Sequence, residues 1–294
     1  RDWQGNELRC ADCAHAKLAA AGGCELKRAC VHERYARRID RFFAWNPALA
    51  AAYIDHPYFE TRAIAVKHTS IFLLPSLLDD PDATVRWSAA ARLPRRHLLC
   101  LREDPDREVR IRVANRLGGT DLVLMMADCD YYVRQVVARR ITGHMLPLMM
   151  RDTDAEVRRV VAERIGPEWL MAMTADDDAR VRLEAVRRLP AAQLKWLQGD
   201  SDWRVRYELA GRLDAEALTV LLADADPLVR ERCRERIETA VAPDIVAGRK
   251  PQTGHPWPAA LASIPSATSA ASRASESARG PRLDSGMESR ATVQ

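Results

Sequence analysis

One dipeptide returns every 24 residues. Val85-Arg86 recurs as Val109-Arg110, Val133-Arg134, Val157-Arg158, Val181-Arg182, Val205-Arg206 and Val229-Arg230. One step back stands Thr61-Arg62, so the arginine column is filled in all eight units. A fixed period of roughly 20 to 50 residues marks a solenoid, in which each small unit buries its apolar face only against its neighbours.

The unit beginning at Asp80 shows how the repeat is built. Asp82 is a favoured helix cap, and Pro94 stops a helix that runs to about Leu93. With Val85 at 0°, Ala89 falls at about 40°, Leu93 at about 80° and Ala90 at about 140°, one apolar stripe of a three-turn helix. Before the next cap, Leu recurs at 74, 98, 122, 146, 170, 194 and 218, and three residues later stand Leu77, Leu101, Met125, Met149, Met173, Leu197 and Leu221. An i, i+3 pair in so short a span predicts a single helical turn, α or 3₁₀. The alternation and β-branched enrichment of strands are missing.

Charge is phased as strictly. Asp occupies 80, 104, 128, 152, 176, 200 and 224, and again 82, 106, 130, 154, 178, 202 and 226. A second Arg column follows at 92, 116, 140, 164, 188, 212 and 236. Arg86 falls inside the apolar arc, so it needs a carboxylate, and Asp80 or Asp82 of its own or an adjacent unit is available for bidentate pairing. These columns read either as a phosphate-binding face or as an Asp-Arg ladder between units. Fifteen phased Arg stand against fourteen phased Asp. That near balance favours the ladder, since a nucleic-acid face displays unbalanced basic charge.

Composition agrees. With 47% hydrophobic and 29% charged residues, 45 basic against 41 acidic, the chain reads as a soluble, foldable protein with little net field. It has no run of about 18 apolar residues, and Arg1 to Arg9 lacks a signal-peptide core, so a cytoplasmic location is expected.

Seven cysteines are unevenly placed. Cys100, Cys129 and Cys233 are scattered through the repeats, and Cys233 fills a column of small apolar residues. Cys10, Cys13, Cys24 and Cys30 crowd the N-terminus, and such a group points to metal before disulfides. A Cys-x-x-Cys pair followed by two more cysteines offers four thiolates to one centre, either structural zinc or an iron-sulfur cluster. Cys24-x5-Cys30 is wide for zinc; Gly22 and Gly23 would let backbone N–H groups approach sulfide, and Lys17, Lys27 and Arg28 could offset cluster charge. The residues alone leave both metals open.

The unit Asp-x-Asp-x-x-Val-Arg-x-x-x-Ala-x-Arg-Leu with its Leu-x-x-Leu turn resembles the leucine-rich repeat variant family over about residues 54 to 245. The resemblance implies an all-α, right-handed superhelical solenoid of alternating α and 3₁₀ helices. It also implies an N-terminal Cys-rich module carrying a 4Fe-4S cluster, with Cys10, Cys13, Cys24 and Cys30 as its ligands. His15 and His32 are the alternative ligands if the metal is zinc; otherwise they read as surface histidines.

The expected organisation is therefore a cluster module over 1–35, a capping segment over 36–53, eight repeats over 54–245 and a disordered tail over 246–294. Arg37, Arg38, Phe42, Phe43, Trp45 and Tyr53 make 36–53 too aromatic for a free linker, so it should cover the open end of the first repeat. The tail is rich in Ser, Ala, Pro and Arg. No Gly-rich phosphate loop, nucleophile elbow or zinc-protease helix occurs, so no enzyme is expected. The functional expectation is a redox-linked scaffold for a protein partner, with electron carrier and nucleic-acid-binding redox sensor as alternatives, and neither membrane nor small-molecule substrate.

Overall fold

The computed structural model describes residues 1–246. Its first compact unit is Arg1–Ala242, and a second begins at Pro243. The tail expected to be disordered lies, beyond residue 246, outside the described residues.

The Cys-rich region contains a 3₁₀ turn at Cys10–Asp12 and a short helix α1 (Ala16–Ala20), followed by α2 (Ala36–Trp45) and a 3₁₀ segment Pro47–Tyr53. The long helices of the first units are α3 (Phe59–His68), α4 (Ala83–Arg92) and α5 (Arg107–Ala114). Then come α6 (Thr120–Val123), α7 (Tyr131–Arg140), α8 (Ala155–Arg164), α9 (Pro167–Met173), α10 (Ala179–Arg188), α11 (Trp203–Arg212), α12 (Ala215–Leu221) and α13 (Pro227–Val246). Among the described residues there is no strand, only two isolated bridges, Asp2 with Glu33 and Glu25 with Ala29.

The two layers follow from the repeat. In seven units the expected Asp caps the long helix, its side chain accepting the backbone N–H two residues on, as Asp82 does from Thr84 at 2.8 Å. The short layer is 3₁₀ at Ile71–Asp79, Leu99–Glu103, Gly143–Met149 and Ala191–Leu197, but α at α6, α9 and α12. Local residues decide in several units. Pro75 and Pro147 sit inside 3₁₀ segments, where they remove an α-type donor. Pro167 occupies the first turn of α9 and Asp214 caps α12, both of which favour an α start.

Every valine of the repeat column from Val85 to Val229 is fully buried, and so are Ala89, Val113, Val137, Val161, Ala185, Leu209 and Cys233. The Leu column of the short layer is at most 2% exposed from Leu74 to Leu218. Units therefore share one continuous core, each closing the apolar face of the one before.

The charged columns divide their work in a way counting alone did not reveal. Each first-column Arg reaches forward eighteen residues to the first-column Asp of the next unit and grips it bidentately, from Arg62 with Asp80 to Arg206 with Asp224. Arg86 lies 2.7 Å from both carboxylate oxygens of Asp104, and its remaining nitrogen donates to the Asp80 and Pro81 carbonyls. Among the described residues the second Arg column makes no ion pair with Asp. It reaches backward to the C-terminal carbonyls of the preceding long helix: Arg116 to Ala90 O at 2.8 Å, Arg188 to Ala162 O at 2.7 Å, Arg236 to Leu213 O at 3.1 Å. Each long helix from α4 to α11 thus has a carboxylate at its N-terminus and a neighbour's guanidinium at its C-terminus, both favourable to its macrodipole.

Candidate iron-sulfur module

All four N-terminal cysteines are free thiols. Cys10 opens the 3₁₀ turn and Cys13 closes it, with the backbone N–H of His15 donating to Cys13 Sγ at 3.4 Å. Cys24 follows α1 through a tight reversal. Gly22 has φ +76°, a left-handed conformation that suits glycine, and a Cβ on Gly23 would stand 2.4 Å from Leu18 Cδ1. Contrary to expectation, the N–H groups of Gly22 and Gly23 are not turned to sulfur. They donate to Ala19 O at 3.0 Å and Leu18 O at 2.9 Å and so close the helix end. Cys30 lies before Val31, where the backbone N–H groups of His32 and Glu33 act to lower its pKa.

The thiols share one electrostatic neighbourhood. Burial raises the Cys24 pKa, and Cys13 and Cys10 add to it. Burial pushes Cys30 up to about 11, with Glu33 and Cys13 contributing. Tyr53 is pushed up to about 12 by burial and by Cys13, Cys30 and Cys24. Cys24 and Cys30 are therefore thiols unless a cation draws off their protons, which is the demand a metal centre meets. Four unbridged thiols, three of them half-buried, with the His15 backbone N–H aimed at Cys13 sulfur, suit a group that takes thiolates. Among the described residues no three His, Cys, Asp or Glu side chains stand close enough to hold a single ion. An open cavity of about 510 Å³, bordered by Glu7, Arg9, Asp12, Cys13 and His32, gives solvent a way to Cys13.

His15 and His32 are half-buried, not surface residues. Their rings stack at 5.8 Å, and His15 Nε2 hydrogen-bonds Tyr53 Oη. His56 extends the cluster with tilted rings, 6.5 Å from His32 and 5.8 Å from Tyr53. Burial lowers the pKa of all three histidines. Of the expected cations, Arg28 turns to Glu25 at 3.1 Å and over Trp45, and Lys27 adopts φ 68° while its backbone N–H binds Glu33. Glu33 is 1% exposed, held by that N–H and by Arg38.

Phe42 and Phe43 are buried, as the capping role requires. They join Val31, Ile39 and Ala50 with Ile64 and Ala65 of α3 in a single core, against which Cys24, Leu18 and Tyr53 pack. Sequence reasoning gave Tyr53 only a capping role and missed His56, Glu33 and Asn46, whose side chain ties Phe42 O to Gly23 O at 2.9 and 2.8 Å. One signal was available. Stepping the columns back, His56 stands where later units have the ladder Asp, Tyr58 where they have the cap Asp, and His68 where they have the second Arg. The first unit is rewritten to face the module: His68 bonds Asp40 of α2 at 3.2 Å instead of reaching a preceding repeat.

An all-α, right-handed superhelical solenoid with a four-cysteine module at its N-terminus defines the class of protein. Residues 1–52 match the family model described as LRV protein FeS4 cluster. The solved structure titled "A leucine-rich repeat variant with a novel repetitive protein structural motif" is 42% identical, with a TM-score of 0.75, over 78% of this chain and 98% of that one. The chain belongs to the leucine-rich repeat variant family and carries its iron-sulfur cluster region. It is also similar to the "Uncharacterized 27.7 kDa protein in nifB 3'region" of Rhodobacter capsulatus, 48% identical over 96 residues. That match spans 33% of this chain and 39% of the relative. No described helix is long and apolar enough to cross a membrane.

Proposed function

We propose that this is a non-catalytic, redox-linked scaffold for a protein partner, in which Cys10, Cys13, Cys24 and Cys30 bind a 4Fe-4S cluster. The cluster supplies a one-electron couple when bound, at a potential sensitive to N–H groups aimed at its sulfur ligands. The observation that carries the reading is the shared core of module and first repeat: Phe42 and Phe43 touch the cysteine region on one side and α3 on the other. A charge change at the cysteines acts on side chains that also pack the solenoid. Thiols that share a charge field without clustering around one point favour a many-iron group, whose thiolates sit on separate irons, over a single zinc.

A protein partner is favoured over nucleic acid because guanidinium groups of both Arg columns are spent on carboxylates and carbonyls within the solenoid. The cytoplasmic setting is part of the same reading, since free cysteines beside a cluster suit a reducing compartment. The test is the visible spectrum of anaerobically purified protein with iron and sulfide analysis, before and after dithionite, followed by partner capture in both states. A brown band that bleaches, with capture that changes, is the expected result. A colourless zinc protein, or capture indifferent to reduction, removes the redox linkage.

A further inference from the structure

The short-helix layer carries a second regular column that takes no part in the core. It is one residue per unit: Cys100, Leu124, Leu148, Ala172, Trp196 and Val220. All six are exposed, and Leu124, Leu148, Trp196 and Val220 are 64, 68, 78 and 61% accessible. Single exposed apolar residues are ordinary, but a line of them phased with the repeat marks an interaction surface. The residue one turn earlier in each unit is exposed as well, and its charge changes along the line: Arg96, Thr120, His144, Glu168, Ala192 and Glu216. Arg95 and Asp214 extend the basic and acidic ends, where the exposed Glu103 and Lys195 are opposing charges that Arg95 with Arg96, and Glu168 with Asp214 and Glu216, outnumber.

We propose that this stripe docks one amphipathic α-helix of a partner protein, running antiparallel to the order of the repeats. Neighbouring helices pack at roughly 8–10 Å, and two turns of an α-helix advance about 10.5 Å. A helix with an apolar residue every seventh position therefore meets one stripe residue per unit. From Leu124 to Val220 there are four steps, about 32–40 Å, close to the roughly 42 Å of four heptads, so a helix of roughly 28 residues covers them. Charge fixes the direction. The positive N-terminus of the docked helix lies by Glu216 and Glu168, and its negative C-terminus by Arg96 and Arg95. The stripe residues are themselves uncharged, and the Lys195 ammonium lies over the Trp196 ring 5.1 Å from its centroid, so the buried face of the partner is uncharged.

This rests on the protein-partner reading above. The test uses the full chain and a fluorescently labelled synthetic peptide of about 28 residues, with Leu and Ala on one face in a seven-residue repeat, Lys in its first half and Glu in its second. Fluorescence anisotropy is expected to show binding that falls at least about tenfold in L148S/W196S. A comparable loss is expected on exchanging the Lys and Glu halves. Both substitutions are at exposed sites, and an unchanged unfolding midpoint checks that the variant is folded. No binding, equal binding by the variant, or equal binding of a shuffled peptide overturns the proposal. So does self-association of the parent that L148S/W196S abolishes, which assigns the stripe to a contact between copies. Peptide binding indifferent to dithionite leaves the stripe standing and removes only the redox linkage. A redox-sensitive natural partner captured equally by parent and variant does the reverse.

Discussion

Replacing Arg134 with Leu tests the ladder where it is most regular. Arg134 donates to both carboxylate oxygens of Asp152 at 2.8 Å, to Asp128 O at 2.8 Å and to Thr153 Oγ1 at 3.2 Å. The two side chains are only 12% and 7% exposed. Leucine leaves the Asp152 carboxylate with the Asp154 N–H as its remaining donor, a buried charge deprived of its counter-ion. Breaking such a pair costs about 3–5 kcal/mol, which for a single cooperative transition lowers the midpoint by about 6–20 °C. Arg140→Leu, in the second column, strands only the Ala114 and Leu117 carbonyls. Water can reach a helix end, so the loss there is about 1–3 kcal/mol. The double variant R134L/D152L should recover part of the loss, because it removes the orphaned charge. Urea and thermal unfolding followed by circular dichroism give all three. An R134L midpoint equal to the parent's, or one no lower than that of R140L, refutes the idea that the first column holds the units together.

Serine at Cys10, Cys13, Cys24 or Cys30 should lose most bound iron, whereas serine at Cys100, Cys129 or Cys233 should not; parental iron in Cys24→Ser would sink the ligand assignment. Mobility-shift titration at about 0.15 M salt should find no micromolar binding to duplex or single-stranded DNA in either redox state, and binding that follows cluster state would promote the nucleic-acid reading. Asp178 and Asp202 are held down to about 2, chiefly by hydrogen bonds from Arg180 and Arg204. Their folded pKa lies below the unfolded value, so their contribution is full above about pH 4 and lost as pH falls toward 2. The urea midpoint of Asp178→Asn should therefore fall less than the parent's between pH 5 and pH 2.5, and parallel curves would contradict it.

What the sequence disclosed was whatever repeats. Val85 and its successors revealed the core, Asp82 and its successors the caps, and Arg86 its need for a carboxylate, because an error at one unit is corrected by the others. The partners of Arg92 and its successors were not legible. A guanidinium accepts no label for what it binds, and a backbone carbonyl 26 residues earlier leaves no trace in side-chain identity. The module was legible only as cysteine spacing. Its packing depends on Tyr53 and Asn46, single residues at long range without a period to expose them, and on His56, whose trace is that it breaks the ladder-Asp column. The exposed line through Leu148 and Trp196 escaped for the opposite reason: it is periodic, but an apolar column looks the same in sequence whether it faces the core or solvent.

The two arginine columns have a mechanical corollary. Every joint is stapled twice, once forward from near the start of a helix and once backward to its end, at points separated by most of a ten-residue helix, about 12–15 Å. Two anchors that far apart resist hinging in a way one central contact cannot, since opening either edge stretches a charged hydrogen bond instead of merely sliding apolar surfaces. Flexure is shared over all joints, so the solenoid should behave as a stiff spring, and a tilt imposed on α3 at the cysteine end is handed down the stack with little loss.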